Sequence, residues 1–189
     1  IKDFSVKENN IVVVPIYVDT SHNLSKIDRQ DDKFIFMTAS RLVPVKNIGM
    51  QIDAMNKLSK EHDNVELQIF GQGPVEGELR AKVKLLKLED KVIFKGWVDN
   101  LEKYYQQADV FVLSSNAEGW GMVIVKAASI GLPIIMTDVG CAGEVIKDQE
   151  SGLVVPVGDT EVLYQAMKNI ITDNDLRNKI TEGGRQAVQ

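Results

Sequence analysis

Short apolar runs alternate with longer amphipathic stretches along this chain. The runs are IVVV (11–14), FIFMT (34–38), VELQIF (65–70), KVIF (91–94), DVFVL (109–113), PIIMT (133–137) and GLVV (152–155). They are rich in Val, Ile and Phe and nearly continuous in apolarity, the pattern of strands buried on both faces. Between them, residues 47–60 place Ile48, Ile52, Met55 and Leu58 on one helical face. Residues 75–87, 99–107, 122–130 and 160–171 are the next helix candidates, with Asp159 as N-cap of the last. A polar helix over 173–183, ended by Gly183 and Gly184, completes the set.

Strands alternating with helices from residue 33 onward predict parallel βαβ units. The fold class is therefore α/β, a Rossmann-like open parallel sheet with helices on both faces. In the common strand order 3-2-1-4-5-6, ligands sit at the carboxyl ends near the reversal between strands 1 and 4. With FIFMT as strand 1, DVFVL is strand 4. Their carboxyl ends carry ASRLVPVK (39–46) and SSNAEGWG (114–121). Residues 1–20 fit this scheme less well: one strand, then a polar stretch over 19–33. They read as an interdomain segment ahead of a domain over 21–189.

Composition adds limits. The 189 residues suit one domain, and 44% hydrophobic with 26% charged is ordinary for a soluble protein. A net charge of −5 argues against broad capture of nucleic acid. No apolar stretch reaches the roughly 18 residues of a membrane span. The single cysteine, Cys141, forms no internal disulfide, so a reducing, cytoplasmic setting is the simpler expectation. Opening on Ile1, the chain reads as a piece of a longer protein.

The loops suggest chemistry. In EGWGMVIV, glycines admit close backbone approach, and a helix N-terminus offers free N–H groups to phosphate. Glu118 repels phosphate but accepts hydrogen bonds from sugar hydroxyls. A solvated Glu in a glycine turn is an equal alternative. Arg41 and Lys46 could neutralise a diphosphate, or be two surface cations. In FGQGP the Gly71-x-Gly73 spacing with Pro74 reads as a tight turn into a helix, with backbone contact to ligand open to Gly71. Because no G-x-G-x-x-G follows strand 1, a nicotinamide dehydrogenase is disfavoured. Trp97 and Val98 could flank a planar base or pack on the next helix. TDVGCAGEV (137–145) predicts a glycine loop and a short helix with Glu144 at its start. His22, His62 and Cys141 form no metal-ligand or nucleophile constellation, so no metal is expected.

Taken together, S-x-x-E-G-W-G-M-V, A-A-S-x-G-x-P-I-I-M-T-D-V-G, E-V-I and S-G-L-V-V-P resemble the "group 1" family of retaining glycosyltransferases (family four). Upstream, S-R-L-x-x-x-K, G-x-G-P and F-x-G-W-V match further signatures in the same order. The resemblance covers residues 11 to 185 and implies the C-terminal, donor-binding half of a two-domain GT-B enzyme. Residues 1–20 would then be an interdomain segment or a remnant of the N-terminal domain. VVVPIYVD (12–19) is similar to the segment that usually reads P-N-G-V-D, with Ile16 and Tyr17 in place of Asn-Gly.

By position, the resemblance implies that Glu118, Arg41 and Lys46 are the catalytic group. Arg41 and Lys46 would hold the donor diphosphate and Glu118 the sugar hydroxyls. Gly119, Trp120, Gly121 and Met122 would face sugar and phosphate, and Trp97 and Val98 the base. Ser40 and Gly71 would line the phosphate approach. No cofactor is implied beyond the nucleotide diphosphate sugar itself. A glycan or lipid-linked acceptor would be bound by the N-terminal domain, with room for peripheral association at the inner face of the membrane.

Three positions depart from the family pattern. Ser40 and Cys141 stand where glycine is usual, and Lys126 replaces a glutamate eight positions after Glu118. Lysine has only donors, so it cannot copy a carboxylate's acceptor contacts. Helical side chains lean toward the N-terminus, so Lys126 can reach back to the ligand loop. Three roles are open: a ligand contact, solvent-directed snorkelling, or, favoured slightly, pairing with Glu118. The last would leave a non-catalytic binding or scaffold domain with an impaired donor site.

Overall fold

The computed structural model describes residues 32–188. The expected strand over 11–14, His22 and the turn at 16–17 lie outside the described residues. Six strands form one all-parallel sheet: β1 (Phe34–Ala39), β2 (Val65–Phe70), β3 (Val92–Gly96), β4 (Val110–Leu113), β5 (Ile134–Thr137) and β6 (Leu153–Val155). Their order is β3-β2-β1-β4-β5-β6, so the sheet reverses between β1 and β4 as the sequence predicts. The helices are α1 (Ile48–Leu58), α2 (Glu76–Leu85), α3 (Glu102–Gln107), α4 (Met122–Ile130), α5 (Thr160–Thr172) and α6 (Asn174–Ala187).

Strand side chains alternate between two cores, as the period of two requires. Phe36, Leu67, Ile69, Val110 and Val112 pack with α1, α2 and α5. Met37, Phe70, Phe111, Leu113 and Met136 pack with α3 and α4 on the other face. Phe36 and Phe111 are wholly buried, so truncating either to Ala should cost about 3–5 kcal/mol. α5 starts at its expected cap: the Asp159 carboxylate accepts from the Val162 N–H at 3.0 Å.

Two expectations are corrected. Gly183 and Gly184 do not end α6, which runs on to Ala187. A Cβ at Gly183 would lie 2.0 Å from the Glu150 carbonyl oxygen, and one at Gly184 3.6 Å from the Ala128 Cβ. The pair lets the helix pack tightly on the 150–151 turn and on α4, and that packing outweighs glycine's poor helix propensity. The short helix expected near Glu144 is instead a series of turns with isolated bridges at Ala142–Ile146 and Asp148–Gly152.

Candidate functional site

The polar loops after β1 and β4 are stitched together at the carboxyl edge of the sheet. The Asn116 N–H donates to the Val45 carbonyl at 2.7 Å, and Asn47 Nδ2 to Asn116 Oδ1 at 3.1 Å. Beneath them lies a buried polar hub. Gln51 Nε2, from α1, donates to Ser114 Oγ at 2.9 Å and to Thr38 Oγ1 at 3.2 Å. Ser114 Oγ in turn lies 3.0 and 3.1 Å from the carbonyls of Asn47 and Lys46. This hub fixes the backbone from which Lys46 projects.

Lys46 ends a short 3-10 turn (Pro44–Lys46) and reaches across the reversal point. Its Nζ lies 2.5 Å from Glu118 Oε1, with the two side chains only 22% and 10% exposed. Ser115 Oγ donates to the same carboxylate oxygen at 2.7 Å. Ser115 is itself anchored, because Thr137 Oγ1 of β5 donates to its carbonyl at 2.7 Å. Both contacts fall on Oε1 and not on Oε2.

Two glycines bring the neighbouring loops together. At Gly71 (φ 118°) a Cβ would lie 1.9 Å from the Ser40 carbonyl oxygen. At Gly73 it would lie 2.2 Å from that of Leu42. FGQGP is therefore a tight turn against the β1 loop, as read from its spacing. Pro74 stands just ahead of the α2 cap, Val75. On the other side, Gly140 (φ 61°) lets the 138–142 loop approach Trp120, whose carbonyl accepts from the Cys141 N–H at 2.9 Å. Cys141 is buried there, and desolvation pushes its thiol up to about 11.

A cleft of about 240 Å³ opens beside these loops, lined by Ser40, Arg41, Phe70, Gly71, Trp97 and Val98 together with Ala39, Leu101 and Val123. Trp97, which lines this cleft, is 69% exposed. Arg41 is exposed at the cleft's edge. Gly121 (φ 94°) caps α4 with no side-chain hydrogen bond, its carbonyl accepting from the Ile124 N–H at 2.8 Å. Gly119 has nothing within 4 Å of its Cβ position, so no neighbour within the protein demands glycine there.

The sequence-derived residues thus fall into two adjoining groups. Ser40, Arg41, Gly71, Trp97 and Val98 line the cleft. Lys46 and Glu118 form the ion pair at the start of the Gly119–Met122 run. Lys126 belongs to neither, and its expected pairing with Glu118 is corrected. Its Nζ lies 3.5 Å from Glu102 Oε1 on α3, while Glu118 is held by Lys46 and Ser115. Lys126 sits in the second turn of α4, on the side facing α3. Sequence reading missed Gln51, Ser114 and Ser115. The SSN run was a visible signal, but nothing local distinguishes a buried hydroxyl from a loop one. Among the described residues no group of three or more His, Cys, Asp or Glu is placed to hold a metal ion. Nor is any of their helices long and apolar enough to cross a membrane.

Comparison with known proteins matches this arrangement to one family. The model for "Glycosyl transferases group 1" matches residues 19–187. The lipopolysaccharide core biosynthesis glycosyltransferase LpsE of Rhizobium meliloti is 30% identical over 164 residues, 87% of this chain and 47% of that protein. The chain therefore spans under half the length of that relative. Among solved structures, S. aureus TarM in complex with fondaparinux, alpha-GlcNAc-glycerol and UDP has a TM-score of 0.87 at 22% identity. That likeness covers 99% of this chain and 37% of TarM. The C-terminal domain of the group 1 family protein LpcC from Francisella tularensis scores 0.83 at 24% identity, covering 91% and 96% of the two chains. At these identities the likeness is one of fold.

Proposed function

The chain belongs to the glycosyl transferases group 1 family, and on that premise we propose that residues 21–189 are the donor-binding C-terminal domain of a retaining GT-B glycosyltransferase. Residues 1–20 are then the link to an N-terminal domain that binds a glycan or lipid-linked acceptor. The donor is a nucleotide diphosphate sugar; TarM, solved with UDP, makes a uridine donor the first to test.

The observation that carries this reading is the Lys46–Glu118 pair at the sheet's reversal, beside a cleft with an exposed tryptophan. A diphosphate needs cations, a sugar needs hydrogen-bond acceptors, and a base needs an apolar, planar surface. Arg41 and Lys46 supply the first, Glu118 the second, and Trp97 and Val98 the third. Ser40, Gly71, Gly119, Trp120, Gly121 and Met122 shape the backbone around the phosphates and sugar.

When donor enters, Lys46 moves from Glu118 to the phosphate and the freed carboxylate turns to sugar hydroxyls. As the bond from the anomeric carbon to the diphosphate oxygen breaks, its electron pair stays on that oxygen, the acceptor hydroxyl oxygen bonds to the carbon, and the hydroxyl proton passes to the departing diphosphate. Arg41, Lys46 and the α4 N–H groups stabilise that charge, which is electrostatic catalysis of departure. A rival reading is a non-catalytic nucleotide-sugar binding or scaffold domain impaired by Lys126; the Lys126–Glu118 pair that would favour it is replaced by a contact of Lys126 with Glu102.

The test uses the full-length protein with a UDP-sugar and an acceptor, the anomeric configuration of the product being read by NMR. Retention of the donor's configuration is expected. An inverted product, or turnover untouched by Arg41→Ala and Lys46→Ala, contradicts the proposal. The 189-residue chain alone should bind donor without transferring sugar.

A further inference from the structure

The pair formed by Lys126 and Glu102 has no part in the chemistry above. Its ammonium and carboxylate lie 3.5 Å apart, with side chains 21% and 34% exposed. Neither residue lines the cleft itself, but each stands near one that does. Leu101, which lines the cleft, immediately precedes Glu102; Val123, which also lines it, lies one helical turn before Lys126.

Resting on the reading of the cleft as a nucleotide site, the geometry assigns this pair a ligand. A nucleotide with its base at Trp97 and Val98 and its diphosphate at Arg41 and Lys46 carries its ribose between them, past α3 and α4. A ribose diol presents two hydroxyl donors and two acceptor oxygens. A carboxylate only accepts and an ammonium only donates, so together they answer both halves of the diol. The 3.5 Å separation exceeds the 2.7–2.9 Å typical of a tight charge-assisted bond, which leaves Glu102 with acceptor capacity to spare. Glu118 does not serve here, because on the same reading its carboxylate is taken by the sugar hydroxyls.

We propose that Glu102, positioned by Lys126, recognises the ribose hydroxyls and makes the site prefer ribonucleotides to deoxyribonucleotides.

The experiment is calorimetric titration of the 189-residue chain with UDP, 2′-deoxy-UDP and 3′-deoxy-UDP, or the same series on guanine or adenine if GDP or ADP binds instead. The wild-type chain should favour the ribonucleotide over at least one deoxy form by roughly tenfold, the worth of one good hydrogen bond to a charged group. Glu102→Gln should shrink that ratio to within about threefold, and Lys126→Met should move it in the same direction. A purely structural role would weaken all three ligands equally and leave the ratio alone. Nucleotide binding with an unchanged ratio in Glu102→Gln, or no ribose preference in the wild type, overturns the assignment and leaves the donor-site reading standing. Failure of UDP, GDP and ADP all to bind overturns both.

Discussion

Lys46 and Glu118 are 72 residues apart in sequence and 2.5 Å apart in space, joining the loops after β1 and β4. The pair gives its two members opposite expected effects. Lys46→Ala should weaken UDP by about 1.5–3 kcal/mol, the range for a hydrogen bond to a charged group. Glu118→Gln removes a competitor for Lys46 and a negative charge near the phosphates, so UDP should bind as well or better. The added affinity of a UDP-sugar over UDP should fall in the same variant. Titrations with both ligands check this; parallel losses in the two variants would contradict it.

Trp97 is 69% exposed, so Trp97→Ala should leave stability within about 0.5 kcal/mol of the wild type. Nucleotide affinity should still drop by about 1–3 kcal/mol, the range for losing an aromatic stacking surface. Denaturant unfolding beside a binding isotherm separates the two effects.

Two glycines should respond differently to a single methyl group. Gly71→Ala drives a Cβ to 1.9 Å from the Ser40 carbonyl oxygen at a φ of 118°, and should cost more than about 2 kcal/mol of stability. Gly119→Ala meets nothing within 4 Å, and should fold normally while weakening a UDP-sugar. Unfolding curves and titrations of both variants check the contrast.

Sequence periodicity made much of this legible. Each strand from β1 to β6 overlaps its expected run, because a strand buried on both faces must be short and apolar. The common order of such sheets, 3-2-1-4-5-6, puts the loops carrying Arg41, Lys46 and Glu118 at one edge. What escaped was set by contacts between distant segments. Gly183 and Gly184 looked like a helix stop, yet they serve the approach of α6 to Glu150 and Ala128. Lys126 seemed aimed at Glu118, but Glu102 on α3 lies nearer, and the spacing of two helices is not written in either one. Gln51 carries no local sign of its burial, which the hydroxyls of Thr38 and Ser114 explain.

Cys141 gives a pH prediction. Burial holds its thiol protonated up to about 11, whereas an unfolded thiol titrates near 9. Between those values the folded state binds more protons than the unfolded, so stability falls as pH rises. Below pH 9 the contribution is fully present, and it is up to about 3 kcal/mol for a shift of this size. Burial raises Tyr105 as well, so some alkaline loss should persist without the thiol. Cys141→Ala should lose less stability than the wild type between pH 9 and 11, measured by urea unfolding at each pH. Equal losses would contradict the assignment.

The central claim, a nucleotide-sugar donor site at the β1–β4 reversal, is tested most directly by calorimetric titration of the 189-residue chain with UDP, GDP and ADP. One of them should bind at one site per chain, and that binding should be weakened in both Lys46→Ala and Trp97→Ala. Absence of binding by all three, or binding indifferent to both substitutions, would contradict it.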